Sequence, residues 1–212
     1  MKRTARKNEI LDTAITLFGK FGYKKTSLSD IADAAGVTPA ALYRYADGKE
    51  DLYRAAAGRG LLRWQGAAFG AVETLTDPIE RFTALALASF RYLARDDDFS
   101  AMLKSDPTIF PLFSGDRFET VNDASKEMIK SILADGVSQG LFRPLDLERI
   151  THLFFSIYKM FIVGSYIETD RFSDDELFSE SLDVLVRGLL TETGRRRYET
   201  KSDSILYEEK EE

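Results

Sequence analysis

Apolar residues recur at spacings of three and four along most of this chain, and the alternation of a half-buried strand is nearly absent. Ile10, Ala14, Leu17, Phe18 and Phe21 line a first amphipathic helix that Gly22 ends. Leu28, Ile31, Ala32 and Ala35 line a second, opened by Ser27-Leu28-Ser29-Asp30, a capping-box pattern with the shorter acid. Gly36 then offers a left-handed turn, Thr38 an N-cap and Pro39 a first helical residue, so a third, short helix begins there. Asp47-Gly48 breaks it, and a fourth helix runs from about Lys49 past Leu52, Tyr53, Leu61 and Trp64.

Longer helices follow. One starts at Thr76-Asp77-Pro78, carries Ile79, Phe82, Leu85, Phe90 and Leu93, and fades in Asp96-Asp97-Asp98. Residues 99–117, with Pro107, Pro111 and Gly115, read as irregular with at most short helices. Further helices are predicted from Phe118 to Gly136 or Gly140, from about Leu145 to Tyr166, and from about Asp174 to Leu190. Beyond Gly194 the chain is charge-rich and is expected to be mostly disordered. The pattern predicts an all-α protein of about nine helices. It divides into a helix-turn-helix domain over 1–48, a helical domain over 49–193 and a charged tail over 194–212.

On a wheel of about 100° per residue, Leu42 anchors the third helix inward, while Ala40 and Arg44 face away and Tyr43 lies about a quarter turn round. In a major groove an arginine pairs with guanine edges, a small side chain approaches a thymine methyl, and a tyrosine donates to phosphate. The same arrangement equally describes a short solvent-exposed helix with no partner.

Charge sharpens the choice. The 212 residues carry a net charge of −6, yet residues 1–50 hold nine Lys/Arg against six acids and the remainder holds 20 against 29. A local positive face, rather than a positive total, is what phosphate binding needs, although scattered solvated charges give a similar count. Cysteine is absent and His152 is the single histidine, expected in the core or at an interface. Without a thiol, a glycine-rich phosphate loop or a G-x-S-x-G elbow, an enzyme is not expected, and neither a cofactor nor a metal site is. The most apolar run, Leu153 to Gly164, is broken by Lys159 and too short to span a bilayer. No signal core follows the basic start, so a cytoplasmic protein without a membrane partner is expected.

From Ile10 to Tyr53 the order of residues is specific. Ile10, Ala14, Leu17, Phe18, Gly22 and Tyr23 are followed by Thr26-Ser27, Asp30-Ile31-Ala32, Ala35-Gly36-Val37, Leu42-Tyr43 and Lys49-Glu50-Asp51-Leu52. This stretch resembles the TetR family of bacterial transcriptional regulators; it departs at Ala46, where the family usually has a bulky apolar residue.

The resemblance implies that Thr26 and Ser27 start the second helix beside a phosphate and that Lys49 meets another. It places Thr38, Pro39, Ala40, Ala41, Tyr43, Arg44 and Tyr45 on a recognition helix. Lys2, Arg3, Arg6 and Lys7 become a basic arm. Family members pair through two C-terminal helices, which here would supply Phe154, Ile157, Phe161, Leu182, Leu185 and Leu189. Those helices are apolar almost all round and must be covered, by a second copy or within one chain. An effector would sit among the middle helices, where Trp64, Phe69, Phe82, Phe90, Met102, Phe110, Phe113 and Met128 suit an apolar or aromatic ligand and equally suit plain packing.

The function expected is a homodimeric repressor that leaves its double-stranded operator when a small molecule binds. The alternative is a nucleoid-associated or assembly protein with weak sequence preference and no effector.

Overall fold

Why the first helix stops where it does is visible in its backbone. In the computed structural model, which describes residues 2–105, 116–162, 164 and 175–200, helix α1 spans Lys2–Lys25 but is interrupted at Gly22 (φ 80°, ψ 160°), a conformation only glycine adopts readily. The elements that follow are α2 (Leu28–Ala34), α3 (Pro39–Leu42), α4 (Lys49–Gly70), α5 (Pro78–Arg95) and α6 (Asp97–Ser105). After them come α7 (Asp116–Ser138), α8 (Leu147–Ile162), α9 (Asp175–Leu189) and α10 (Glu192–Glu199). Among the described residues the protein is all-α.

The chain forms two compact units, and their limits differ from the expected division at residue 48. Among the described residues, one contains those up to residue 64 and those from 93 to 121; the other contains those from 65 to 92 and those from 122 onward. Helix α4 holds residues of both.

In the first unit Ile10, Leu11, Ala14, Ile15 and Phe18 of α1 are buried, together with Leu52, Tyr53, Ala56 and Ala57 of α4. Phe18 and Tyr23 both meet the Tyr53 ring edge-on, at 4.8 and 4.9 Å between centroids. Phe21, expected on the inner face, is 49% exposed and lies beneath the Lys20 ammonium instead.

Helix α6 is one of the short helices that the stretch expected to be irregular allowed, and it starts two residues earlier. Asp96 follows the end of α5 at Arg95, and its carboxylate caps the next helix, accepting from the Phe99 N–H at 3.1 Å. Asp97 and Asp98 then occupy the first turn, where the helix dipole favours acids. Phe99, Met102 and Leu103 are buried beneath it.

In the second unit Phe82 of α5 packs edge-on against Phe154 of α8 at 4.9 Å, and Phe90 stacks on Phe178 of α9 at 4.0 Å. The charged tail is ordered at its beginning. Thr191 caps α10, Tyr198 is 1% exposed, and Arg197 Nε lies 2.5 Å from the buried carboxylate of Asp77. Composition missed this because one buried ring and one ion pair suffice to dock two turns of helix. Residues 201–212 lie outside those described.

Candidate nucleic-acid interface

The interface is assembled from local signals. Ser27 caps α2 by accepting from the Asp30 N–H at 3.1 Å, while the Asp30 carboxylate accepts from the Ser27 N–H at 2.8 Å and hydroxyl at 2.7 Å. These bonds from Ser27, the hydroxyl first, hold the Asp30 carboxyl below its ordinary pKa of 3.8. Ile31 and Ala32 point α2 into the unit.

Gly36 then turns the chain at φ +62°, and the Val37 N–H returns to the Ala32 carbonyl at 2.9 Å. Thr38 accepts from the Ala41 N–H at 3.3 Å, and Pro39 occupies the first helical position. The short α3 continues as tight turns, with Tyr45 N–H donating to the Leu42 carbonyl at 2.8 Å.

Exposure on α3 follows the wheel. Leu42 is 1% exposed, whereas Thr38, Pro39, Ala40 and Arg44 are exposed and Tyr43 is 59% exposed. Ala41 and Tyr45 are half-buried. Ala46 is buried, with Leu42 and Leu52 also buried in the same unit. A small residue thus takes an inner position here, and the short helix still forms around Leu42.

Two expected phosphate contacts have other partners. Thr26 is 2% exposed, and its hydroxyl donates to the carbonyls of Gly22 at 2.9 Å and Leu17 at 3.2 Å, carbonyls that the break at Gly22 leaves near the end of α1. Thr26 is therefore a structural tie, while Ser27 beside it remains exposed. Lys49 is half-buried: its ammonium donates to the Lys24 carbonyl at 3.3 Å and sits 4.5 Å above the Tyr23 ring. An ammonium has three donors, so Lys49 in this position can still offer one to a phosphate.

The basic arm also divides. Arg6 is engaged at the turn of the helix-turn-helix, where its guanidinium donates to the Ala35 and Gly36 carbonyls and to Glu9. Lys7 is exposed, and the side chains of Lys2 and Arg3 lie outside those described. Sequence spacing does not reveal the role of Arg6, because its carbonyl partners are 29 and 30 residues away.

Of the residues expected around an effector, Trp64, Phe82 and Phe90 have ring partners. Trp64 meets Phe99 edge-on at 6.4 Å in the first unit, where Met102 is fully buried. Phe82 and Phe90 belong to the ring contacts of the second unit, and Phe69 and Met128 there are half-buried. Phe110 and Phe113 lie outside the described residues.

Of the expected pairing residues, Phe154, Leu182 and Leu189 are buried within their own unit and leave little side chain to offer a partner. Ile157, Phe161 and Leu185 are half-buried, Phe161 against Phe178 at 5.3 Å. The large apolar residues that α8 and α9 expose are others: Leu153, Met160 at 65% and Val184 at 70%. His152 is exposed beside Leu153, not in the core. An apolar helix has several faces, and only packing selects which one is covered.

Among the described residues no group of His, Asp and Glu is placed to hold a metal, and no helix is long and apolar enough to cross a membrane.

Comparison with known proteins agrees with this geometry. The profile of the bacterial regulatory proteins of the tetR family matches residues 10–56, which contain the capped helix-turn-helix. The HTH-type transcriptional repressor KstR2 of Mycolicibacterium smegmatis is 32% identical over 149 residues, covering 69% of this chain and 72% of that protein. Among solved structures, a TetR transcription regulator from Haloarcula marismortui superposes with a TM-score of 0.74 at 23% identity, covering 89% of this chain and all of that one. The ketosteroid transcriptional regulator KstR2 of Mycobacterium tuberculosis gives 0.58 at 26% identity, covering 88% of this chain and 96% of that one. The chain belongs to the TetR family of transcriptional regulators, and its function is that of a DNA-binding regulator.

Proposed function

We propose that this regulator is a cytoplasmic homodimeric repressor that reads an operator with α3 and leaves it when a small apolar molecule binds its helical body. The observation carrying the reading is the surface of α3. A helix with one buried anchor, Leu42, presents Ala40, Tyr43 and Arg44 outward from a doubly capped turn. Arg44 suits a guanine edge and Tyr43 a phosphate, with Ser27 and Lys49 as further backbone contacts.

Pairing is supported by the exposed Leu153, Met160 and Val184 on α8 and α9, since exposed apolar residues grouped on helices favour association. Two copies would then set two recognition helices about 34–36 Å apart, one turn of DNA, or a multiple of it. Effector binding is supported by two buried hydroxyls of the second unit, Thr151 and Ser179, which have no hydrogen-bond partner among the described residues. A polar group on an otherwise apolar ligand would satisfy one of them. The relative named as a ketosteroid regulator makes a ketosteroid the first ligand to try.

The test is binding of the purified protein to its own upstream DNA and to a random duplex at two salt concentrations, repeated with a ketosteroid. Preference for the upstream duplex that the ligand abolishes supports the whole reading. Preference that it does not alter removes this ligand class, and equal binding to both duplexes removes the operator.

A further inference from the structure

We infer that Arg6 is a positioning residue for DNA reading: it clamps the turn between α2 and α3 and so sets the pose of the recognition helix without contacting DNA. The inference rests on the proposed reading of α3 as that helix. From the second turn of α1, the Arg6 guanidinium reaches three acceptors. Nη1 donates to Glu9 Oε2 at 2.7 Å, and Nη2 donates to the Ala35 carbonyl at 2.7 Å and the Gly36 carbonyl at 3.2 Å.

Those carbonyls stand where α2 ends, so no later turn of the helix supplies them with N–H donors. They also form its negative pole, which favours a cation. The donors of the same turn face the other way: Gly36 N–H goes to the Asp33 carbonyl and Val37 N–H to the Ala32 carbonyl. The turn is thus held by α2 on one side and by Arg6 on the other.

The Gly36 carbonyl belongs to the peptide plane leading into Val37 and the Thr38 cap, and Gly36 at φ +62° has the freedom to rotate that plane. Fixing the carbonyl therefore fixes the direction in which α3 departs. Glu9 holds one arm of the guanidinium, so the other is aimed before DNA arrives. A lysine would keep the charge yet lose the planar fork that serves Glu9 and the turn together.

A simple phosphate contact makes the opposite predictions. Its loss weakens binding to every sequence, lowers the salt slope by about one, and is largely repaired by lysine. The experiment measures wild type, Arg6→Ala, Arg6→Lys and the milder Glu9→Gln on operator and random duplex across a salt series, with circular dichroism to verify folding. Amide exchange of Val37 in the free protein is followed in parallel.

The clamp predicts that Arg6→Ala and Arg6→Lys both lower the operator-to-random ratio by about tenfold, equivalent to 1.4 kcal/mol. Random-duplex affinity and the salt slope stay as in wild type, and Val37 exchanges faster. Glu9→Gln gives a smaller loss of the same kind. A lower salt slope with rescue by lysine overturns the proposal in favour of a phosphate contact, and unchanged Val37 exchange overturns the clamp itself. A wild type without operator preference removes the reading on which the inference rests, and is separable because the exchange result needs no DNA.

Discussion

The ring of Phe99 on α6 lies so close to Gly60 on α4 that a Cβ added to Gly60 would overlap its Cε2 and Cδ2. Phe99 is fully buried, so an added Cβ must displace its ring within the core. Gly60→Ala is expected to destabilise the protein by about 1–3 kcal/mol through overpacking. Gly58→Ala meets only Phe118, at an ordinary 3.5 Å, and is expected to be neutral or stabilising because alanine is the better helix former. Urea unfolding of the two variants checks the contrast, and equal midpoints would refute the close approach.

Thr26 offers a test that separates fold from binding. Thr26→Val keeps the shape but removes the hydroxyl bonds to the part-buried carbonyls of Leu17 and Gly22, so a loss of about 0.5–1.5 kcal/mol is expected. The salt dependence of DNA binding should stay unchanged. A slope lower by about one would instead return Thr26 to the phosphate contacts.

The capping box on α2 has a defined pH dependence. The folded pKa of Asp30 is depressed, so its contribution is present above the unfolded carboxyl pKa of about 3.9 and is lost as pH falls through the folded value. Asp30→Asn should therefore be less stable than wild type at pH 7. The difference should close as both are titrated below pH ~4, and thermal melts across that range measure it. A gap that persists in acid would assign the effect to shape rather than charge.

Pairing is tested on the exposed face of α8 and α9. Val184→Glu and Met160→Glu place a charge on side chains that one chain leaves uncovered, so each should fold normally, halve the mass in light scattering and lose operator affinity. Val184→Ala serves as the mild control and should stay paired. An unchanged mass for both charged variants would mean that the chain pairs through another face, or not at all.

For the proposed DNA surface, Arg44→Ala is expected to relax sequence preference at one operator position by about 1–3 kcal/mol, whereas Lys49→Ala should weaken all duplexes alike and lower the salt slope by about one. Because the Lys49 ammonium also closes the end of α1 at Lys24, that variant should melt slightly earlier as well. Competition binding against single-base operator variants distinguishes the two.

The local features of the head were legible in the sequence because their bonds close within a few residues. The Ser27–Asp30 box and the Thr38 cap each join residues three apart, the bends at Gly22 and Gly36 need only the absence of a Cβ, and Leu42 follows from helical period. The same rules placed the end of α5 at the acidic run Asp96 to Asp98 but not the start of α6 within it, since an acid run serves equally to end one helix and to cap the next.

Tertiary structure decided what each long or apolar side chain would meet. Arg6 and Thr26 are polar residues in a basic head, and nothing local distinguishes a phosphate contact from a bond to a distant carbonyl. On α8 and α9, Phe154 and Leu182 are no more apolar in sequence than Leu153 and Val184, yet packing buries the first pair and exposes the second. Tyr198 is buried, and Arg197 meets the buried carboxylate of Asp77, far away in the sequence. Hydrogen-bond caps and backbone freedom are properties of a few neighbouring residues, whereas burial and ion pairing depend on which elements arrive beside them.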